Sequence, residues 1–148
     1  MEKTFNRVAT IKDIAVFTSF ILIGTALIIF PTGAGINLAG FFMILTGMIL
    51  AFILRTGYKD LDSGVMYSKR EYYFQQEMNP VISSALASMS GSIDLSQADK
   101  GKTVKLDIYY SKLTGKAYLQ LFEYRPYKYE PCSQTYEYEL FTVRDLVK

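Results

Sequence analysis

The stretch that decides the fold runs from residue 14 to residue 54. Residues 14–30 read IAVFTSFILIGTALIIF and residues 36–54 read INLAGFFMILTGMILAFIL, and neither stretch contains Asp, Glu, Lys or Arg. A helix that crosses a bilayer needs roughly 17–25 apolar residues. Because a helix pairs its own backbone groups, lipid tolerates it. We therefore predict two transmembrane helices.

The link at residues 31–35, PTGAG, predicts a tight reversal, because Pro31 ends a helix and the glycines permit a sharp turn. So short a link makes the two helices antiparallel neighbours. By the positive-inside rule, basic residues on the outer flanks place both termini in the cytoplasm, in a prokaryotic inner membrane. These flanking residues are Lys3, Arg7, Lys12, Arg55 and Lys59.

Two alternatives remain open for the apolar stretches. A cleaved signal peptide would use Thr32-Gly33-Ala34 as a loose cleavage site, but its apolar stretch would be longer than the usual ~7–15 residues. Two buried helices of a soluble protein would need more covering structure than the remaining chain provides.

The composition of the chain predicts a change of environment, from lipid to water, near Leu54. All 12 tyrosines follow residue 57, whereas phenylalanine is common within the apolar stretches. Phe tolerates hydrocarbon, but a Tyr hydroxyl needs water or a partner. We therefore expect a cytoplasmic N-terminal segment (1–13), a transmembrane hairpin (14–54) and a cytoplasmic domain (55–148).

Small residues recur at heptad spacing in the apolar region. Gly33, Gly40 and Gly47 are seven residues apart, and so are Thr18 and Thr25. Such spacing keeps one helix face open for close packing. These faces either pack the hairpin against itself or drive its self-association into a homo-oligomer.

The cytoplasmic part is predicted to be a small α+β domain with an antiparallel sheet and one main helix. Asp62-Ser63-Gly64 predicts the turn of a β-hairpin, whereas Ser68–Phe74 could be helix or strand. Alternation predicts strands at 104–110, 116–124 and 136–140. The middle one is apolar on both faces, which predicts a central strand. Two prolines make 125–133 a loop or a sheet edge.

The main helix is expected to begin with Asn79 as its N-cap and Pro80 as its first residue, and to end at Gly91. A short final helix through Val147 would be capped by Thr142. The apolar residues with helical spacing in the main helix are Val81, Ile82, Ala85, Leu86 and Met89.

Composition argues against several function classes. A formal net charge of +2 is too small for a dedicated nucleic-acid binder, and the absence of His removes the commonest general base and metal ligand. Cys132 has no His to activate it, and Asp60-x-Asp62 is typical of turn chemistry rather than of a metal site. Adjacent Ser-Lys pairs on a strand point to opposite faces. We expect no catalytic, metal or cofactor site, and no enzyme activity.

The most distinctive part of the domain is YRPYKYEP at residues 124–131. Tyr and Arg are enriched at interface hot spots because they contribute large contact area at little entropic cost. Neighbouring glutamates would repel phosphate, so the expected partner is a protein rather than a nucleic acid. The predicted surface comprises Tyr124, Arg125, Tyr127, Tyr129, Tyr136 and Tyr138; the simpler interpretation is that these rings only cover the sheet.

These features predict a non-enzymatic, membrane-anchored protein that presents an α+β binding or regulatory domain to a partner protein at the bilayer. An immunity-type protein is one version of this function, although no motif selects it. The alternative is a hairpin that self-associates into a structural or pore-like oligomer.

Overall fold

The computed structural model describes residues 3–30, 33–88 and 93–148. Two long apolar helices lie near the N-terminus and are followed by an antiparallel sheet with one α-helix, as predicted. The elements are β1 (Phe5–Val8), α1 (Ile11–Ile29), α2 (Ala34–Ile53), β2 (Gly57–Asp60), β3 (Met66–Phe74), α3 (Asn79–Ala87), β4 (Val104–Ser111), β5 (Lys116–Arg125), β6 (Lys128–Pro131) and β7 (Tyr136–Glu139).

The strands form a sheet in the order β1-β2-β3-β4-β5-β6, and β7 pairs with the first half of β5. The segment 68–74, left open by the sequence, lies in strand β3. Strand β5 is central, because β4 pairs along one side of it while β6 and β7 share the other. Pro131 lies in β6, at the outer end of the sheet order, where its missing N–H costs least.

Helix α1 begins three residues before the predicted span. Thr10 and Asp13 form a capping box, in which the Thr10 hydroxyl accepts from the Asp13 N–H and the Asp13 carboxylate accepts from the Thr10 N–H. Helix α2 begins after Gly33, whose φ of 116° suits only glycine. The predicted helix-ending role of Pro31 lies outside the described residues.

The glycines at the centre of the hairpin let α1 and α2 approach closely. A Cβ placed on Gly40 would lie 2.7 Å from the backbone oxygen of Gly24, and one on Gly47 would lie 3.0 Å from that of Phe17. Gly24 is equally tight, although the heptad pattern did not single it out. Such contact is typical of small-residue packing between apolar helices.

The other small residues predicted for helix packing lie elsewhere. Gly33 caps α2, and a Cβ there would meet nothing within 4 Å. Thr18 is exposed, and Thr25 is partly buried. The Thr25 hydroxyl donates to the carbonyl of Ile21, so the helix backbone satisfies it.

Both ends of the hairpin meet at Asp13. Its Oδ2 accepts hydrogen bonds from the N–H of Thr10 at 2.8 Å and from the N–H of Thr56 at 2.9 Å. The Thr56 hydroxyl also donates to this carboxylate. Asp13 thus joins the start of α1 to the segment that follows α2.

The sheet and α3 enclose the core of the second half. Ile82 and Leu86 of α3 are buried, but Val81 is 57 % exposed and does not belong to the core. The predicted contributions of Met89 and Gly91 lie outside the described residues. The remaining core residues come from the sheet and the C-terminal segment: Phe74, Val104, Leu106, Ile108, Ala117, Leu119, Leu121, Tyr138, Val143 and Leu146.

Two predicted helix caps are wrong. A 3-10 turn at Gln76–Met78 precedes α3, so Met78 is its N-cap and the Asn79 side chain instead accepts a hydrogen bond from Ser83. Thr142 does not cap the final helical turn, which is a 3-10 helix at Arg144–Leu146 that begins after Val143. In both places a 3-10 turn moves the helix start, which residue preferences alone do not indicate.

The chain separates into two compact units. One unit comprises Arg7–Gly57, and the other comprises the residues up to Asn6 together with Tyr58–Lys148. The first residues therefore belong with the sheet. Phe5 stacks on Tyr109 with ring centroids 4.0 Å apart.

Substituting Gly40 with Ala should destabilise the hairpin by about 1–3 kcal/mol, because the added methyl group would collide with the backbone of α1. Gly35→Ala is the matched control, since a Cβ there meets nothing within 4 Å. The measurement is energy transfer between dyes on cysteines at positions 12 and 55, in a Cys132→Ser background, during detergent denaturation. An equal midpoint for both variants would contradict the packing described.

Candidate recognition surface

The hairpin that joins β5 to β6 has a two-residue tip. Arg125 pairs with Lys128, which leaves Pro126 and Tyr127 as the connection. Proline holds φ near −65°, and Tyr127 has a φ of 75°. This is the combination of a type II turn, whose second central position normally requires Gly or Asn.

Tyr127 occupies this position against its conformational preference. A side chain with a Cβ in the left-handed region costs roughly 1–2 kcal/mol. The residue is 97 % exposed, so burial of its ring does not offset that cost. Folding therefore does not account for a tyrosine at the tip.

The rings of Tyr124 and Tyr129, next to the tip, are fixed by contacts within the sheet unit. Tyr124 and Tyr129 pair across the hairpin with their ring centroids 5.3 Å apart, edge to face. The Tyr129 hydroxyl donates to the carbonyl of Lys102 at 2.6 Å. Tyr124 is half exposed. These two rings give the tip a rigid base.

Arg125 extends from the same hairpin and is largely exposed. Its guanidinium lies 3.5 Å from the Glu130 carboxylate and 3.9 Å from that of Glu123. Both pairs are close to solvent, where an ion pair contributes little to stability. Arg125 therefore lies with Glu123 and Glu130 on the face opposite Tyr124 and Tyr129. We call the end of the hairpin that carries Tyr124, Arg125, Tyr127 and Tyr129 the hairpin-tip surface.

The last two predicted surface residues, Tyr136 and Tyr138, lie on the core face of the sheet, opposite to Tyr124 and Tyr129. Tyr138 is 4 % exposed, and its hydroxyl donates to the carbonyl of Leu86 at 2.7 Å. Tyr136 is half-buried and packs against the same core. Their register explains this placement, because Tyr136 and Tyr138 lie opposite the core residues Leu119 and Ala117. The assignment of Tyr138 to a partner surface is therefore corrected.

The face of the sheet opposite the core carries a buried carboxylate. Asp107 is 2 % exposed, and its Oδ2 lies 2.8 Å from the ammonium of Lys69 and 3.1 Å from that of Lys105. Its Oδ1 is buried without a hydrogen-bond partner in the described part of the chain. Glu71 adds a second carboxylate 2.5 Å from Lys69. We call these four residues the charged ladder.

Aromatic rings surround the charged ladder. The Lys105 ammonium lies 4.7 Å from the ring centroid of Phe122, and that of Lys69 lies 5.2 Å from the ring centroid of Tyr109. Cations over ring faces gain further electrostatic attraction when they are shielded from water. The rings also exclude solvent from the ion pairs.

The protonation equilibria follow from this packing. Burial by itself would lower the pKa of Lys69, but hydrogen bonds to Asp107 and Glu71 outweigh it and raise that pKa above its usual value. Burial by itself would raise the pKa of Glu71, but hydrogen bonds from Lys69 and Tyr73 outweigh it and lower that pKa. Burial and a hydrogen bond to Glu71 raise the pKa of Tyr73 to about 12. Lys69 and Glu71 therefore keep their charges at neutral pH.

Asp60 also has protein partners. It is buried and accepts hydrogen bonds from the ammonium of Lys3 at 2.9 Å and from the hydroxyl of Ser63 at 2.6 Å. Asp62 contributes its backbone N–H to Asp60. In the described ranges, no group of three or more His, Cys, Asp or Glu residues is placed to hold a metal ion. Cys132 is exposed at the end of β6.

Comparison of the chain with protein-family models, curated proteins and solved structures found no match. Inference of function therefore rests on the geometry of the chain itself, and the hairpin-tip surface and the charged ladder are two of its distinctive features. The sequence marked the first of them through YRPYKYEP. The ladder had a weaker signal, namely Lys and an acid two residues apart in each of two neighbouring strands, at 69 and 71 and at 105 and 107.

Replacing Asp107 with Asn should lower the free energy of unfolding of the sheet unit by about 2 kcal/mol, because two partly buried ammonium groups would lose the buried carboxylate that they share. Glu137→Gln is the control, since it removes an exposed ion pair with Lys116 and should change stability little. Urea unfolding followed by tyrosine fluorescence measures both. Equal losses would show that the ladder does not behave as a buried network.

Proposed function

We propose that the chain is a non-enzymatic protein anchored in a bacterial inner membrane by the α1–α2 hairpin, with both termini in the cytoplasm, and that its sheet unit binds a partner protein there. The length of α1 and α2 supports the anchor, since predominantly apolar helices of 19 and 20 residues suffice to cross a bilayer. The low burial of both helices supports it too, because only 11 % of the most apolar window of each helix is buried within the chain.

The side chains of the helices support the same proposal. Large apolar residues such as Leu22, Phe42 and Phe52 are exposed along them, and water would penalise that surface. Three of the polar side chains, Ser19, Thr25 and Thr46, donate their hydroxyls to helix carbonyls four residues earlier, which suits a hydroxyl in lipid, whereas Asn37 Oδ1 near the start of α2 has no partner in the described part of the chain. Basic residues on both outer flanks support a cytoplasmic location for the termini.

The observation that carries the binding proposal is the conformation of Tyr127. An exposed aromatic ring is kept at a turn position where Gly or Asn would fold better. Strain of this kind is typical of functional residues. Tyr127, on the rigid base of Tyr124 and Tyr129, would insert into a pocket of the partner, and Arg125 would pair with an acidic group at the rim.

Self-association through the glycine stripe has less support. Gly40 and Gly47 already pack against α1 of the same chain, so their faces are occupied. Gly33 lies outside that contact.

The decisive experiment uses Tyr127→Asn. Relief of strain should raise the stability of the sheet unit by about 1 kcal/mol, because Asn tolerates the left-handed region. The same change should abolish a specific cross-link that a photoreactive amino acid at position 124 forms in native membranes. A gain of stability together with a loss of the cross-link would show that Tyr127 serves binding and not folding.

Leu113→Asn is the matched control, because Leu113 is an equally exposed residue at another hairpin turn. It should leave the cross-link intact. Cross-linking that survives Tyr127→Asn, or that Leu113→Asn removes equally, would refute the hairpin-tip surface.

The proposed topology has its own test. The single cysteine, Cys132, should react with a membrane-impermeant maleimide in inverted vesicles but not in intact spheroplasts. Ala34→Cys in a Cys132→Ser background should show the opposite pattern, because Ala34 follows the link. Labelling of Cys132 in spheroplasts would overturn the orientation.

A further inference from the structure

A groove of about 740 Å³ lies in the sheet unit, at the end of the sheet opposite the hairpin tip. Its walls come from β3, from the turn between β4 and β5, and from the segment that follows β7. The lining residues that matter for binding are Arg70, Lys112, Glu139, Phe141, Arg144 and Lys148. Small-molecule sites typically enclose roughly 300–1,000 Å³, so the groove has the size of one.

The groove concentrates positive charge in a chain that is nearly neutral. Four cationic side chains line it against the single acidic residue Glu139, whereas the whole chain has 16 basic and 14 acidic residues. Lys112 and Arg144 form no ion pair with any residue that the structure describes. Arg70 donates to the backbone carbonyl of Lys148, which holds its guanidinium at the groove.

One wall of the groove is apolar and open. Phe141 is 78 % exposed, although large aromatic side chains normally stay covered. Tyr110, Leu140 and Val147 continue this wall. The groove therefore offers cations to an anionic group and an aromatic face to whatever that group is attached to.

We propose that this groove binds a phosphate-bearing ligand with an apolar or aromatic body. A phosphate carries more than one negative charge and accepts several hydrogen bonds, which suits converging cations better than a single carboxylate does. Arg144 and Lys112 bind the phosphate, because neither lies within ion-pair distance of an acidic side chain in the described ranges. The carboxylate nearest in sequence to Arg144, that of Asp145, pairs with Lys148. Phe141 packs against the body of the ligand.

The same chemistry fits a free phosphate ester and a phospholipid headgroup. The groove lies at the Lys116 end of β5 and the hairpin tip at its Arg125 end, roughly 30 Å apart along the strand. Binding here is therefore independent of the proposed protein-binding surface, and each can fail without the other.

The test uses the full chain in nanodiscs of phosphatidylcholine. Calorimetry with AMP, and with inorganic phosphate, measures the free ligands at millimolar concentration. Native mass spectrometry of protein taken from membranes with phosphatidylglycerol counts retained anionic lipid. The variant is Lys112→Gln/Arg144→Gln, and Arg125→Gln/Lys128→Gln is the control with the same loss of charge.

The groove variant should weaken AMP binding, or lipid retention, by roughly tenfold or more, while the control changes neither beyond about twofold. Phe141→Ala should weaken AMP binding but not phosphate binding. AMP binding assigns a free phosphate ester, and lipid retention alone assigns a headgroup. Absence of both, or equal losses in the two double variants, would overturn the proposal.

Discussion

The sheet unit depends on the antiparallel register of β4 and β5. This register places Leu106 opposite Leu121 and Ile108 opposite Leu119, and all four side chains are buried in the core. Because side chains alternate across a strand, the same register directs Asp107 to the other face. A slip of one residue would bury the charged ladder in the core and expose the leucines, so both faces require a single alignment.

The two halves of the chain achieve close packing by different means. In the helical unit, backbone approaches backbone at Gly24 and Gly40, where no side chain intervenes. In the sheet unit, large rings and charged groups fill the space, as where Phe5 stacks on Tyr109. Close glycine contacts are typical of helices packed in lipid, where burying apolar surface gains nothing, and so agree with the proposed anchor, whereas interlocking side chains are typical of a core formed in water.

Much of the fold was predictable because its signals are local. Absence of charge identified both long helices, and alternation identified β4, β5 and β7. Which face of a strand is buried is harder to predict from the sequence. Tyr136 and Tyr138 are predicted to lie on a partner surface, but their pairing with β5 places them on the core face. The groove was not predictable, because Arg70, Lys112 and Arg144 are distant in sequence and no periodicity joins them.

The carboxylate of Asp13 has a mechanical consequence. The backbone N–H and the hydroxyl of Thr56 donate to this carboxylate across a sequence separation of 43 residues, so they close the loop that contains both helices. A pull on the chain at Gly57 reaches the base of α1 through these bonds as well as the end of α2 through the backbone. The applied force is then shared by α1 and α2, and separating one helix from the other requires the hydrogen bonds between Thr56 and Asp13 to break first.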